Sequence, residues 1–269
     1  MSSPLDALAG WPVAAAAAVT TPDQTLDEAG PVEKPWPWAS VTKLLTALAV
    51  LVAVEEGTVD LDAPAGPPGA TVRHLLAHAS GLNPDGAPIT GPGRRRIYSN
   101  AGFDLLGSVV EEGTAMPFAE YLRAATVEPL GMASTTFAGS PASGAAGPVR
   151  DLGRLARELL RPTLVSEQLF AEATAVSFPG LDGVLPGYGI QRPNDWGLGF
   201  EVRGTKRPHW TGGANSPSTF GHFGRAGSFL WVDPSIGLAV VELAAEPWGP
   251  WAVEAWPPLS DAVIAAYAA

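Results

Sequence analysis

The chain has 269 residues, 46% of them hydrophobic and 16% charged, a balance that can fill one large core or two small ones and that disorder does not fit. A formal net charge of −11 disfavours nucleic acid and anionic membranes as partners, and the lack of cysteine excludes disulfides, thiol catalysis and thiolate metal sites. The 31 glycines and 27 prolines follow no three-residue period, which excludes a collagen-like chain and predicts many turns.

In chain order, the first apolar run is Trp11 to Val19, but the first positive side chain is Lys34, so the basic start of a secretory leader is missing and the cytoplasm is the expected compartment. Val13 to Thr20 reads as extended, and Thr21-Pro22-Asp23 turns it into a second segment ending at Gly30; the alanines between 14 and 18 favour helix on propensity alone. After Pro35-Trp36-Pro37-Trp38, the stretch Ser40 to Glu56 runs without glycine or proline to Gly57 and predicts a helix. That helix is apolar almost all round, which implies burial between layers. Its longest apolar run, Leu44 to Val54, is too short to cross a bilayer, so no membrane partner is expected.

Short helices follow at Val72 to His78, Phe103 to Glu112, Pro117 to Ala125, Val149 to Leu160 and Ser166 to Ala175. Beyond Trp196 the pattern changes to strands: Gly197 to Arg203, Thr219 to His222, Gly227 to Val232 and Leu238 to Leu243, the last two joined through Asp233-Pro234-Ser235-Ile236-Gly237. Trp256 to Ala268 predicts a closing helix whose first turn holds Pro257 and Pro258. The expected fold class is α+β: an antiparallel sheet flanked by N- and C-terminal helices, with a mostly helical lobe inserted. Residues 1–57 and 190–269 form the α/β lobe and 58–189 the helical one, within a single catalytic domain whose site lies in the cleft between lobes.

Four clusters carry chemistry. Ser40-Val41-Thr42-Lys43 places a hydroxyl and an amine on one helix face, where desolvation would push the lysine toward its neutral, basic form. With 16 serines and 3 lysines, about 0.2 such spacings arise by chance. The bland alternative is a serine N-cap followed by a solvated lysine. Tyr98-Ser99-Asn100 supplies a phenol that a nearby ammonium could turn into a base, and an amide to orient it; otherwise these are a buried tyrosine and an N-cap asparagine. His222-Phe223-Gly224 sits at a strand end, where a backbone amide could provide half of an oxyanion hole and Ser40 the other half; a lone strand histidine is otherwise structural. Arg94-Arg95-Arg96 reads as a solvated loop. His74 and His78 share a helix face but lack a spaced acidic third ligand, so no metal is expected.

The order S-x-x-K, Y-S-N, H-x-G, together with His74-Leu75-Leu76-Ala77-His78-Ala79-Ser80-Gly81-Leu82, resembles the serine β-lactamase and penicillin-binding-protein superfamily. The similarity is to its class C-like branch, which includes family VIII esterases and D-aminopeptidase or DD-peptidase relatives. The resemblance implies that Ser40 is the acylated nucleophile, that Lys43 and Tyr98 share the acid–base work, and that Asn100 positions substrate and Lys43. It also implies an oxyanion hole from the amides of Ser40 and Arg225, beside Gly224, and a substrate-facing His222 where many relatives have lysine. No cofactor is implied.

The expected function is a serine hydrolase cleaving an ester or amide through an acyl-enzyme, esterase-like because a neutral imidazole at 222 binds a carboxylate less well than a cation. The alternatives are a β-lactamase or D-amino-acid peptidase on the same residues, acyl transfer to an alcohol or amine, and a binding protein that retains the fold. The expected partner is a small ester, amide or β-lactam. Trp36, Trp38, Trp196, Trp210 and Trp231 could line an apolar acyl or alcohol pocket, but tryptophans fill cores more often, and none of the nine is assigned to a ligand.

Overall fold

A computed structural model describes residues 3–268. The N-terminal 3₁₀ turn Pro4–Gly10 leads into β1 (Ala15–Thr20) and β2 (Thr25–Ala29), then the two-residue β3 (Trp36–Pro37) and the buried α1 (Thr42–Glu55). Next come α2 (Val72–Leu76), α3 (Asn100–Thr114), α4 (Phe118–Leu122), β4 (Thr136–Phe137), β5 (Ala145–Gly147), α5 (Val149–Leu160) and α6 (Glu167–Thr174). The hairpin β6 (Gly183–Leu185) and β7 (Gly189–Gln191) precedes β8 (Glu201–Val202), β9 (Phe220–Gly224), β10 (Ser228–Asp233), β11 (Leu238–Ala244) and the C-terminal α7 (Pro250–Tyr267).

Six strands form one antiparallel sheet in the order β2-β1-β11-β10-β9-β8, so the two chain ends meet along the β1–β11 pairing. This is the expected α+β architecture, with the sheet built from both termini. The four inner strands are buried on both faces, and alternate residues serve different layers. Ala16, Ala18, Leu230, Val232, Val241 and Leu243 face the core built on α1, while Ala17, Val19, Phe229, Trp231 and Val240 face α7 through Trp256, Leu259 and Val263. Within the middle segment, α5 packs directly on β1, β10 and β11.

The alanine-rich segment is a strand, against its local propensity. Pairing on both edges and cover on both faces decide its conformation, since a mid-sheet position leaves no room for a helix. Helix α5 matches its expected limits, and α1 ends where expected, with Gly57 in the left-handed conformation (φ 73°).

Two readings need correction. The last helix begins at Pro250, just after Gly249, and therefore contains Pro257 and Pro258 in its interior. The carbonyls that lose their partners belong to Val253 and Glu254, on the exposed face where water can satisfy them. The middle segment also holds short strands that sequence alternation did not reveal, β4 and β5 pairing with β3, and the β6–β7 hairpin.

Candidate active site

Ser40 lies in a 3₁₀ turn, Ala39–Val41, that leads into α1, and the turn is entered through Ala39 in a left-handed conformation (φ 45°). For a residue with a side chain this costs about 1–3 kcal/mol, so neighbouring contacts must hold it. Trp38 supplies them. Its N–H donates to Ala145 O (2.9 Å), its indole N–H to Gly147 O (3.2 Å), and its carbonyl accepts from Ser228 Oγ (2.8 Å). Gly224 closes the same corner: a Cβ there would stand 2.5 Å from Trp38 O and would also overlap Ser228 Oγ. The glycine thus permits an approach to the backbone preceding Ser40.

In the first turn of α1, Lys43 is fully buried. Its Nζ reaches Asn100 Oδ1 at 2.8 Å, the carbonyl of Ala142 at 2.9 Å and Ser40 Oγ at 3.4 Å. Burial pushes its pKa down from 10.5 to about 7, with the Asp104 carboxylate opposing part of the fall. Near neutral pH a large fraction is therefore the free amine. An amine has two N–H donors and one lone pair, while Asn100 Oδ1 and Ala142 O can only accept. Those two oxygens take both N–H groups, and the lone pair is left facing the Ser40 hydroxyl. The solvated first-turn lysine is ruled out by this burial.

Tyr98 and Asn100 come from the segment entering α3, whose N-cap is Ser99: the Ser99 hydroxyl accepts from Gly102 N (3.1 Å) and donates to Asn83 O (2.8 Å). Asn100 is the first helical residue, which leaves its amide free for Lys43. The Tyr98 ring lies 4.8 Å from Lys43 Nζ. Its hydroxyl is buried and has no hydrogen-bond partner among the described residues, although Ser40 is near enough to offset a little of the effect of burial. Burial raises the phenol well above its ordinary range, so the group is a protonated donor at neutral pH and the expected drift toward a phenolate base is not found.

His222 faces this cluster from β9. Its Nδ1 lies 2.6 Å from Phe223 O, which can only accept, so the ring proton sits on Nδ1 and Nε2 presents a lone pair. Burial, then the positive charge of Lys43, hold its pKa down to about 3, and the imidazole is neutral. The amides of Ser40 and Arg225 donate to no other group among the described residues, as an oxyanion hole requires, while the Arg225 side chain is exposed and its carbonyl takes Trp248 N–H at 3.0 Å.

Ser40, Tyr98, Asn100, His222 and Arg225 line one pocket of about 410 Å³. Lys43 lies beneath it, and Gly224 behind it as backbone support. Of the pocket's apolar walls, made by Leu185, Pro186 and Gly187 of the β6–β7 hairpin with Trp196, Phe223 and Trp248, the sequence raised only Trp196 as a pocket candidate, without assigning it. Two of the nine tryptophans, Trp196 and Trp248, thus line the pocket, a property no motif signals. The Ala142 carbonyl was equally unreadable, being backbone. Glu201 also reaches the pocket, held by Lys206, His209 (3.0 Å) and the Trp210 indole (2.7 Å). Burial alone would raise its pKa, but Lys206 and His209 outweigh it, and the carboxylate stays ionised.

Arg96 departs from the solvated loop expected for Arg94-Arg95-Arg96. It is buried and donates to the carbonyls of Ala77, Asn194 (3.0 Å), Ser177 (2.7 Å) and Phe178 (3.2 Å). Arg94 and Arg95 are exposed. His74 pairs with the Thr71 hydroxyl (2.9 Å), whereas His78 turns toward Tyr98 and Ser99.

Comparison with known proteins identifies the family and the fold. A crystal structure described as a beta-lactamase from Mycobacterium bovis superposes with a TM-score of 0.98 at 55% identity, covering 99% of this chain and 100% of that one. Esterase EstB of Burkholderia gladioli is 28% identical over 76% of each chain. The D-alanyl-D-alanine-carboxypeptidase/endopeptidase AmpH of Escherichia coli K12 is 30% identical over 38% of this chain, and the match spans only 37% of that protein. The beta-lactamase family model matches residues 7–250, and the chain belongs to the beta-lactamase family.

Proposed function

We propose that this protein is a serine hydrolase that cleaves small, uncharged esters through an acyl-enzyme on Ser40. The observation that carries the reading is the Lys43 amine: two acceptor-only oxygens bind its N–H groups, its pKa is lowered to about 7, and its remaining valence points at a hydroxyl 3.4 Å away. Ser40 Oγ attacks the ester carbonyl as its proton passes to Lys43 Nζ. The developing oxyanion is held by the amides of Ser40 and Arg225. As the intermediate collapses, the C–O bond to the alcohol breaks and the alkoxide takes the Tyr98 proton, which the Lys43 ammonium replaces. Water then attacks the acyl-enzyme, giving its proton to Lys43; Ser40 Oγ leaves and recovers a proton from the lysine, returning the site to its starting state.

The preference for an uncharged ester rests on His222 and the apolar walls. A neutral imidazole that offers a lone pair repels a substrate carboxylate, and Leu185, Trp196, Phe223 and Trp248 suit an apolar acyl or alcohol group. One observation favours a second reading: the exposed Arg225 guanidinium at the pocket mouth can meet a carboxylate, as a β-lactam or a D-alanyl peptide carries. The deciding experiment compares p-nitrophenyl esters, a chromogenic cephalosporin and D-alanyl amides with wild type and Ser40→Ala. Short-chain ester cleavage that exceeds cephalosporin cleavage and vanishes in Ser40→Ala is expected. Faster cephalosporin turnover assigns the second reading, and undiminished ester cleavage by Ser40→Ala removes the acyl-enzyme.

A further inference from the structure

We propose that His78 is a positioning residue that sets the Tyr98 hydroxyl against Ser40, by offering two acceptors and a ring face to the three residues centred on Tyr98. This rests on the acid role given to Tyr98 above. His78 is buried (1% exposed) and adopts a left-handed backbone (φ 52°), rare for a residue with a side chain. From that position its carbonyl accepts the Ile97 N–H at 2.8 Å and its Nδ1 accepts the Ser99 N–H at 3.2 Å, one bond on each side of Tyr98.

The imidazole also packs on the Tyr98 ring, with centroids 4.6 Å apart and planes inclined by 41°, and stands edge-on to Trp196 at 4.6 Å. Accepting from Ser99 obliges Nδ1 to be unprotonated, so the proton of the neutral ring is on Nε2. Arg96 reinforces the clamp from the residue before Ile97 by donating to Ala77 O, the carbonyl next to His78. The Tyr98 hydroxyl itself has no hydrogen-bond partner among the described residues, so its place is set by what holds its backbone and ring. A group placed by its backbone and ring contacts alone is the kind whose small displacement costs catalysis more than stability.

The test exploits the backbone at this position. Asparagine and glycine both tolerate a left-handed residue, but only asparagine can present an oxygen to the Ser99 N–H. His78→Gly is expected to lower kcat and the rate of fluorophosphonate labelling about tenfold to a hundredfold with KM little changed, as a misplaced catalytic group does. His78→Asn is expected to recover about fivefold or more of that loss, the value of one restored hydrogen bond, without a parallel recovery in melting temperature. Tyr98→Phe is measured beside them. If Tyr98→Phe is impaired while His78→Gly and His78→Asn have equal kcat, or differ only in step with their melting temperatures, the positioning role is refuted and the Tyr98 role stands. If Tyr98→Phe keeps wild-type activity, the reading of Tyr98 fails and this inference with it. Should His78→Gly not fold, His78→Ala takes its place in the same comparison: a kcat recovered by His78→Asn over His78→Ala without a parallel gain in melting temperature supports the clamp, and equal kcat overturns it.

Discussion

Replacing Lys43 by methionine separates what the amine does for chemistry from what it costs the fold. In wild type, Lys43 falls from 10.5 to about 7 on burial, which at about 1.36 kcal/mol per pH unit corresponds to about 5 kcal/mol. Between those two values the unfolded chain holds a proton that the folded chain does not, so stability rises with pH across that window and is flat in this respect below about 7. Methionine has no proton to lose. The unfolding free energy of wild type measured against Lys43→Met should therefore climb by about 3 kcal/mol between about pH 7 and about pH 9.5, every other titrating group cancelling in the difference. The variant also leaves Asn100 Oδ1 and Ala142 O without their donor, a cost of about 1–3 kcal/mol each that shifts the curves but does not tilt them. Urea titrations at several pH values measure the tilt, and ester turnover should drop by about 10² to 10⁴ in the same protein. Parallel stability curves would mean that the folded protein keeps Lys43 protonated throughout, and the base assigned to Ser40 would be lost with them.

Three further outcomes follow from the same structure. Glu242 is buried on β11 with neither carboxyl oxygen hydrogen-bonded among the described residues, and burial raises its pKa well above the ordinary value. It is therefore held protonated in the fold but ionises on unfolding, and stability declines as pH rises above about 4.5; Glu242→Gln should be more resistant to urea at pH 8 and equal to wild type near pH 4, and equal midpoints at pH 8 would contradict this. Gly224→Ala should cost about 1–3 kcal/mol in thermal or urea unfolding through overlap with Trp38 O, and should slow fluorophosphonate labelling of Ser40 because that carbonyl belongs to the turn holding the nucleophile. His222→Lys replaces a lone pair by a cation and should raise kcat/KM for a carboxylate-bearing cephalosporin relative to a neutral p-nitrophenyl ester; an unchanged ratio would show that position 222 does not select for charge.

Much of the site is readable without coordinates because its parts are local. Ser40 and Lys43 are three residues apart on a helical path, Tyr98 and Asn100 flank a serine N-cap, and His222 and Gly224 end a strand, so each pair's geometry follows from the periodicity of its own element. The α1 and α5 helices are readable for the same reason, α1 from a run free of glycine and proline closed by a terminal glycine, and α5 from the helical spacing of its apolar residues. Alanine strand β1, the Pro257-Pro258 step inside α7 and the burial of Arg96 are not, since each is decided by what lies across from it: β11 and β2, water over an exposed helix face, and four carbonyls from segments far away in the chain.

The residue types able to form a nucleophile, a base and an acid are present in the sequence, and the apolar run around Lys43 points to its neutral form, but the size of each shift and the protonated Tyr98 are not readable there, because a pKa depends on how much water the rest of the chain removes. Only the packed structure makes Lys43 a base near neutral pH, keeps Tyr98 a proton donor and leaves His222 uncharged. The pocket walls belong to the same category. Leu185, Trp196 and Trp248 are distant in sequence, carry no motif, and meet Ser40 only because the hairpin, the β7–β8 connection and the turn after β11 converge on the sheet edge.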